Sequence, residues 1–531
     1  MFNKKLAAGL ALALGSAFVA PCMGATPMNI HAGALGRVAP TALAARLGLG
    51  ADASFVAGRQ LRTAQGTVKS RERQTWRGVP VYGRSVVVER NARGTVLSVA
   101  GSAERDVGAQ LASAQPRLTA RAAEAALRRH MGDAALPVRN LASKLFVYPQ
   151  AGAGTRLAWR VSYVLDDAGR PSRPTAIVDA DTGAILRQWD GLTTGRRPPA
   201  SNTPTAVTAT GPGGNELTGI YVYDNSGPGR ERLDAVRMGS VCYLQGANVA
   251  TYNLGGGQRV AQWSFGCPGS NPALWLSRGD AINGAYSPIN DAHHFGGVVH
   301  DMYSSWFGEP PLTNDDGSAM LLSMWVHYGT NYENAFWDGS EMVFGDGDQY
   351  FFPFVVLDVT GHEISHGFTE QHSGLEYTGQ SGGMNEAFSD MAGEAVKYFD
   401  RGSNDFQVGA DMVKPATVPL LGMASMRDMC TPSNDGASID SARDFRADMD
   451  VHYSSGVYNR AFCVLARTTG WGTRMAFEVF HDANALYWGP QETFDSGSCG
   501  VEQAALDRGY AEADVAAAFD AVDVTCDSAA R

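Results

Sequence analysis

The stretch Gly361-His362-Glu363-Ile364-Ser365-His366-Gly367 places two histidines four residues apart. On a helix such residues project from one face, so both imidazoles can reach one metal ion. Glu363 points about 100° away around the helix. From there its carboxylate can reach a metal-bound water without ligating the metal. This HExxH pattern carries the chemistry of a zinc hydrolase whose glutamate is the general base. A catalytic zinc takes three protein ligands and keeps one position open, so a third ligand must follow.

Two residues compete for that place. His372 lies six residues after His366, the spacing of the metzincin pattern HExxHxxGxxH, but Thr369 stands where that pattern needs glycine. Glu386, in Gly383-Met-Asn-Glu-Ala-Phe-Ser-Asp390, lies 20 residues after His366. That interval lets one helix end near Gly374 and a second begin near Ser381. Asp390 follows four residues later on the same face, where a carboxylate can accept an N–H from a zinc-bound histidine and fix its tautomer. Glu386 explains both Asp390 and the missing glycine, so it is the favoured ligand. His372 then reads as an exposed helix end.

The elements that must position these residues belong to a chain of 531 residues, too long for one core. Residues 1–25 read as an export signal. Lys4 and Lys5 precede an apolar run from Leu6 to Ala20, and Gly24 and Ala25 offer a cleavage site. That run is short for a membrane span and no later stretch could serve as one, so the product reads as soluble. Six of the seven cysteines follow the signal, as suits an oxidising compartment.

Formal charge divides the chain, with +15 over residues 1–200 and −26 over residues 201–531. The basic part has scattered arginines without the interleaved aromatics of a nucleic-acid surface. Two segments that attract each other until separated fit better. Within the basic part, Gln74 to Tyr82, Ser85 to Glu89, Val96 to Val99, Leu145 to Tyr148, Leu157 to Leu165 and Thr175 to Val178 read as strands. Leu118 to His130 reads as a helix with Thr119 near its start. Residues 191–215, rich in Gly, Pro, Thr and Asn and carrying Arg196 and Arg197, read as a linker open to cleavage. From about 207 to 355 short β-like runs dominate, with a helical patch at Asp291 to Trp306, and from about 356 helical patterns take over. The metal motif sits at that change, where a cleft is expected.

The chain resembles the thermolysin family of zinc endopeptidases, and most closely its pseudolysin and vibriolysin branch. Asn334-Ala-Phe-Trp337, Gly361 to Gly367, Ser381 to Asp390 and Val451-His-Tyr-Ser-Ser-Gly456 stand in family order and spacing. The His₂Glu zinc of thermolysin is an established ligand set. The resemblance implies an α+β fold, a two-domain zincin with a β-rich N-terminal half (207–355), an α-helical C-terminal half (356–531) and a cleft between them. An α+β propeptide (26–206) precedes it, with a fungalysin/thermolysin propeptide-like part (51–105), a PepSY-like part (115–190) and a linker (191–206).

The same resemblance implies zinc on His362, His366 and Glu386, Asp390 behind them, and Glu363 as general base. Tyr377 and His452 stabilise the oxyanion, with Asp450 on the other nitrogen of His452. Asn334 and the Ala335 backbone bind the peptide as an added strand, and Arg427 grips a substrate carbonyl. Phe351, Phe354, Val359 and Met426 wall the pocket beyond the scissile bond. One structural calcium is implied on Asp358, Glu394 and Asp405, and Lys397 stands where that branch has a further glutamate. Cys242–Cys267 and Cys499–Cys526 are the implied disulfides, while Cys430 and Cys463 are left open, paired or free.

The implied function is a secreted, zinc-dependent neutral metalloendopeptidase made as an autoprocessed zymogen. It would cut on the N-terminal side of large hydrophobic residues of protein and peptide substrates. Its own propeptide would act as inhibitor and folding aid, and the mature form would be a monomer with no nucleic-acid or membrane partner. The competing readings are a metzincin-type protease using His372 and a non-catalytic exported binding protein. Retention of Glu363, Tyr377 and His452 speaks against the second.

Overall fold

The computed structural model describes residues 26–150, 154–167, 170–192, 205–257, 260–269 and 275–526. The export-signal reading and residues 193–204 of the linker, with Arg196 and Arg197, lie outside the described residues, and Thr205–Ala209, read as linker, is a strand paired with Leu233–Met238.

Residues up to 192 are organised by one 11-stranded sheet. In its first half the strands Val68–Trp76, Val79–Arg90 and Thr95–Arg105 run antiparallel, with Ser70 opposite Val88 and Val88 opposite Val99. Val86 and Val88, two residues apart, face one way and are buried with Val96, Val99 and Leu43. At Gly101 (φ +140°) a Cβ would stand 2.5 Å from the Ser85 carbonyl oxygen, so this close approach admits only glycine. A parallel contact, Val81 with Val147, joins the second half, where Arg139–Gln150, Gly154–Asp167, Pro174–Asp179 and Ile185–Asp190 follow antiparallel. Five of the six expected strands fall inside these longer ones, whereas Gln74 to Tyr82 is split by a turn at Arg77 and Gly78 into the end of Val68–Trp76 and the start of Val79–Arg90. The helix Ala120–Met131 is capped by Thr119, whose oxygen accepts the Ala122 N–H. It lays Ala123 and Leu127, an i, i+4 pair, on Val161, Tyr163, Ala176 and Val178.

Residues from 205 to 355 build a four-stranded and a five-stranded sheet. In the second, Leu322–Tyr328 lies between Val249–Asn253 and Glu341–Gly345, parallel to both, and Ala335–Trp337 is the outer antiparallel edge. The two strands Leu322–Tyr328 and Glu341–Gly345 are buried along their whole length, as parallel strands covered on both faces are. The helix Pro288–Phe307, started by Ser287 at its N-cap, packs on this sheet and on the helix Leu357–Gln371. Beyond 357 helices predominate, with Gly379–Arg401, Gly456–Arg467, Thr473–Asp482, Phe494–Arg508 and Glu512–Asp520 gathered around one another. One apolar core runs from Ala209 to Val524 through both halves. Cys242–Cys267 and Cys499–Cys526 are paired as implied, and Cys430–Cys463, left open by the sequence, is a third disulfide. Among the described residues no helix is long and apolar enough to cross a membrane.

The charge division becomes contact between the leader and the rest. Lys69 Nζ meets Asp507 at 2.6 Å, Arg139 meets Asp338 at 3.3 Å, and Arg160 and Arg173 meet Glu370 at 3.5 and 3.2 Å. Arg59 pairs with Glu309, and Arg187 with Glu376, which also accepts the Tyr82 hydroxyl at 2.8 Å. In each pair the leader supplies the cation and the later part of the chain the carboxylate.

Candidate active site

The helix Leu357–Gln371 carries the two histidines on its buried face, and the helix Gly379–Arg401 crosses it. The crossing is made at glycines. A Cβ on Gly361 would stand 2.8 Å from Val396 Cγ1, and one on Gly393 would stand 2.6 Å from the Asp358 carbonyl oxygen. With both side chains absent the axes approach closely and Glu386 comes level with the imidazoles. His362 Nε2 and His366 Nε2 lie 2.9 Å apart, and Glu386 reaches them with Oε1 at 3.3 Å from His366 and Oε2 at 3.6 Å from His362.

The partners of these groups say what belongs between them. His362 Nδ1 lies 2.9 Å from Asp390 Oδ1 and His366 Nδ1 lies 2.8 Å from Asn385 Oδ1. A proton on each Nδ1, donated to those oxygens, leaves both Nε2 lone pairs facing one another and Glu386. Glu386 Oε2 is buried without a hydrogen-bond partner. Facing lone pairs beside an unpartnered buried carboxylate oxygen are unfavourable unless a cation stands among them. Two imidazoles and a carboxylate are the donor set of a catalytic zinc, and these residues fit it. Among the described residues they are also the group whose ligand atoms converge closely enough for a metal. Burial would raise the Glu386 carboxyl, but positive charge on His452 and, when they are protonated, on His362 and His366 holds it well below the ordinary range, so it is an anion.

Asp390 supports this set from behind. Besides His362 it accepts Arg427 Nε at 2.8 Å, Arg427 Nη2 at 2.6 Å and Asn459 Nδ2 at 2.8 Å. Burial acts to raise its carboxyl, and Arg427 and His362 more than offset that. Arg427 thus reaches the cleft with its guanidinium already bidentate on Asp390.

In front of the ligands, Glu363 is buried at the cleft, and burial raises its carboxyl toward the range where a general base works. Tyr377 donates its hydroxyl proton to Glu386 Oε1 and lies 3.4 Å from His452 Nε2. Burial and Glu386 raise the Tyr377 phenol, keeping it a donor. Glu386 also raises His452, whose Nδ1 is held 2.7 Å from Asp450 Oδ1. Asp450 fixes the same residue twice, because it also caps the short helix Val451–Ser454 by accepting the His452 N–H at 2.9 Å.

These groups line a cleft of about 250 Å³ with Asn334, Ala335, Phe336, Trp337, Phe354, Val359, Val408 and Met426. Asn334 and Ala335 lie at the outer edge of the five-stranded sheet. Phe351, expected in the pocket wall, does not line it and packs on Phe354 with ring centroids 5.3 Å apart. Asp190 and Leu192, where the leader's sheet gives way to the linker, do line it. His372 stands outside the ligand group. It stacks on Phe368 at 3.9 Å with Nδ1 2.8 Å from the Phe368 carbonyl oxygen, and burial lowers its imidazole to about 3. The metzincin reading falls with it. Asp358, Glu394 and Asp405 are brought together as implied, around the Lys397 ammonium.

Asn385, Asn459 and Val408 were not foreseen. Asn385 precedes Glu386 directly, so its place beside a histidine nitrogen could have been read from the helix. Asn459 and Val408 arrive through tertiary packing and carry no local pattern.

Residues 218–370 match the thermolysin metallopeptidase catalytic domain, residues 373–524 its alpha-helical domain, and residues 53–103 the fungalysin/thermolysin propeptide motif. The chain is 43% identical over 479 residues to the hemagglutinin/proteinase of Vibrio cholerae, covering 89% of this chain and 74% of that one. It is 40% identical over 518 residues to the neutral protease of Vibrio proteolyticus (97% and 80% covered). It is also 40% identical over 461 residues to a zinc metalloproteinase of Legionella pneumophila (83% and 82%).

Proposed function

The chain belongs to the thermolysin family of metallopeptidases, and we propose that it is secreted as an autoprocessed zymogen and cuts peptide bonds on the N-terminal side of large hydrophobic residues. It is a neutral metalloprotease with its own propeptide, and its family uses a catalytic zinc and calcium. The observation that carries the finer reading is the company of the His362, His366 and Glu386 set. Beside it lie the edge of the five-stranded sheet at Asn334 and Ala335 and an apolar wall of Phe354, Val359, Val408 and Met426.

Zinc held by that set supplies Lewis-acid polarisation of the scissile carbonyl and a more acidic water. Glu363 takes a proton from the attacking water and returns it to the amide nitrogen as the C–N bond breaks. Tyr377 Oη and His452 Nε2 donate to the carbonyl oxygen as it becomes an oxyanion, an effect of about 3–4 kcal/mol per well-placed donor. Asp450 keeps His452 Nε2 turned to that oxygen. The substrate backbone adds as a strand to the edge at Asn334 and Ala335, and a large apolar side chain enters beside Phe354, Val359, Val408 and Met426.

Leu192 packs with the aromatic cluster of Trp325, Tyr328 and Phe336, and with Asp190 it lies in the cleft. That placement supports a leader that blocks the site until it is cut away. Secretion is supported by the export-signal pattern and by three disulfides. The test is a cleavage map of an unstructured protein together with N-terminal sequencing of the exported product. Cuts before Phe, Leu, Ile or Met, and a mature start between residues 192 and 215, support the reading. Cuts set by charged residues would contradict it.

A further inference from the structure

Lys397 Nζ stands in the middle of a cage of oxygens. It lies 3.3 Å from Asp358 Oδ2, 2.7 Å from Glu394 Oε1, 2.5 Å from Asp405 Oδ1 and 3.2 Å from the Gln407 carbonyl oxygen. Asp358, Glu394 and Lys397 are buried, and Asp405 sits at the exposed rim. The rest of each buried carboxylate is engaged elsewhere. Asp358 Oδ1 accepts the Val359 N–H at 2.9 Å, and Glu394 Oε2 accepts Asn404 Nδ2 at 2.9 Å and the Phe406 N–H at 2.7 Å. Gly409 N–H also reaches Asp358 Oδ2 at 2.9 Å. The segment 404–409 is therefore folded around the cage, and the inward oxygens, three carboxylate and one carbonyl, are of the kind that ligates a hard cation.

An ammonium fills that role here by helix geometry alone. Lys397 follows Glu394 by three residues, on the same face of the helix Gly379–Arg401, so its side chain rises beside the carboxylate it neutralises. Calcium takes six to eight oxygens at about 2.3–2.6 Å, and the centre from which these oxygens would bind it is taken by Nζ. Admitting calcium means either setting a divalent cation against the ammonium or expelling a buried lysine from its partners. Burial acts to lower the Lys397 ammonium, but Asp358, Glu394 and Asp405 outweigh it and keep the group charged.

The cage also bears on the cleft. Gln407–Val408 pairs antiparallel with Arg427–Asp428, and Val408 and Arg427 both line the cleft. We propose that Lys397 is a built-in substitute for calcium at this cluster, neutralising Asp358, Glu394 and Asp405 and holding segment 404–409 in place without a metal. The inference is independent of the catalytic reading.

The direct test is an anomalous difference map from crystals of the enzyme soaked in millimolar calcium. Continuous density to Lys397 Nζ with no anomalous peak inside the cage is expected. A peak bound by Asp358, Glu394 and Asp405 with Lys397 displaced would overturn the proposal. In solution, Lys397→Glu should bind one more calcium per chain than the wild type, with zinc content as the internal standard. Its Tm should fall without calcium and rise with it more than that of the wild type. Equal calcium content and equal calcium dependence of Tm in the two proteins would also overturn it. If the variant does not fold, the wild-type map decides alone.

Discussion

Asp390 Oδ1 lies 2.9 Å from His362 Nδ1 and accepts its proton, while both nitrogens of one Arg427 edge hold the same carboxylate. The pair fixes the tautomer that turns His362 Nε2 toward Glu386. Asp390→Asn, with a neutral oxygen in that place, should weaken zinc binding about 10- to 100-fold. Competition against a chromophoric chelator measures this, and wild-type zinc affinity would show that the contact does not tune the ligand.

The choice of third ligand separates in two variants. Glu386→Ala should purify without zinc, whereas His372→Ala should keep it, because His372 is stacked on Phe368 away from the ligand group. Metal analysis of both proteins checks this, and the reverse pattern would place the chain in another class of zinc protease.

The site was legible in the sequence to the extent that it is helical. Gly361 to Gly367 and Gly383 to Asp390 each lie on one helix, so spacing alone sets which side chains share a face. Glu386 with Asp390 could be chosen over His372 on that ground. The strand cores Ser85 to Glu89 and Leu157 to Leu165 were legible for the analogous reason, a repeat of two, though the strands run on to Val79–Arg90 and Gly154–Asp167. What was not legible depends on tertiary approach. The Cys430–Cys463 pairing, Asn459 on Asp390, and Phe351 turned behind Phe354 follow from how distant segments pack. Lys397 could be placed among Asp358, Glu394 and Asp405 from sequence, but only the cage shows that its ammonium sits at the centre.

The charge division of the chain resolves at Glu370, which faces both Arg160 and Arg173 of the propeptide. The isolated propeptide should inhibit the mature enzyme, and its association should slow as salt rises, since the Debye length falls from about 10 Å at 0.1 M to about 3 Å at 1 M. Glu370→Gln should weaken inhibition by at least about tenfold, because Arg173 is buried and loses its ion partner. Burial would raise the Glu370 carboxyl, but Arg173 and Arg160 leave it below the ordinary value. Its contribution to inhibition is therefore present above the free glutamate pKa of about 4.3 and declines as pH falls below it. Inhibition titrations across salt and pH check this, and a salt-independent association rate would remove the electrostatic part.

His327 is buried between Asp280 and Asp346, with Nε2 and Nδ1 each 2.7 Å from a carboxylate oxygen. Burial opposes its charge, but the two aspartates raise it to about 9. A raised imidazole stabilises fully below the unfolded pKa of about 6.5 and loses that contribution as pH climbs through 9, up to about 3 kcal/mol in all. His327→Asn suits a position with φ +66° and removes the charge. In a Glu363→Ala background, which prevents self-digestion, Tm should fall between pH 6.5 and 9.5 for His327 and change much less for the variant. Parallel Tm curves would contradict the assignment.

The most direct measurement is peptide hydrolysis and zinc content of Glu363→Ala, made as the full chain. Glu363 lines the cleft beside the ligand set but is not one of its three members. The variant should hold zinc as the wild type does, lose hydrolysis by at least about 10²-fold, and accumulate as an uncut precursor. Wild-type hydrolysis with zinc in place would contradict the account.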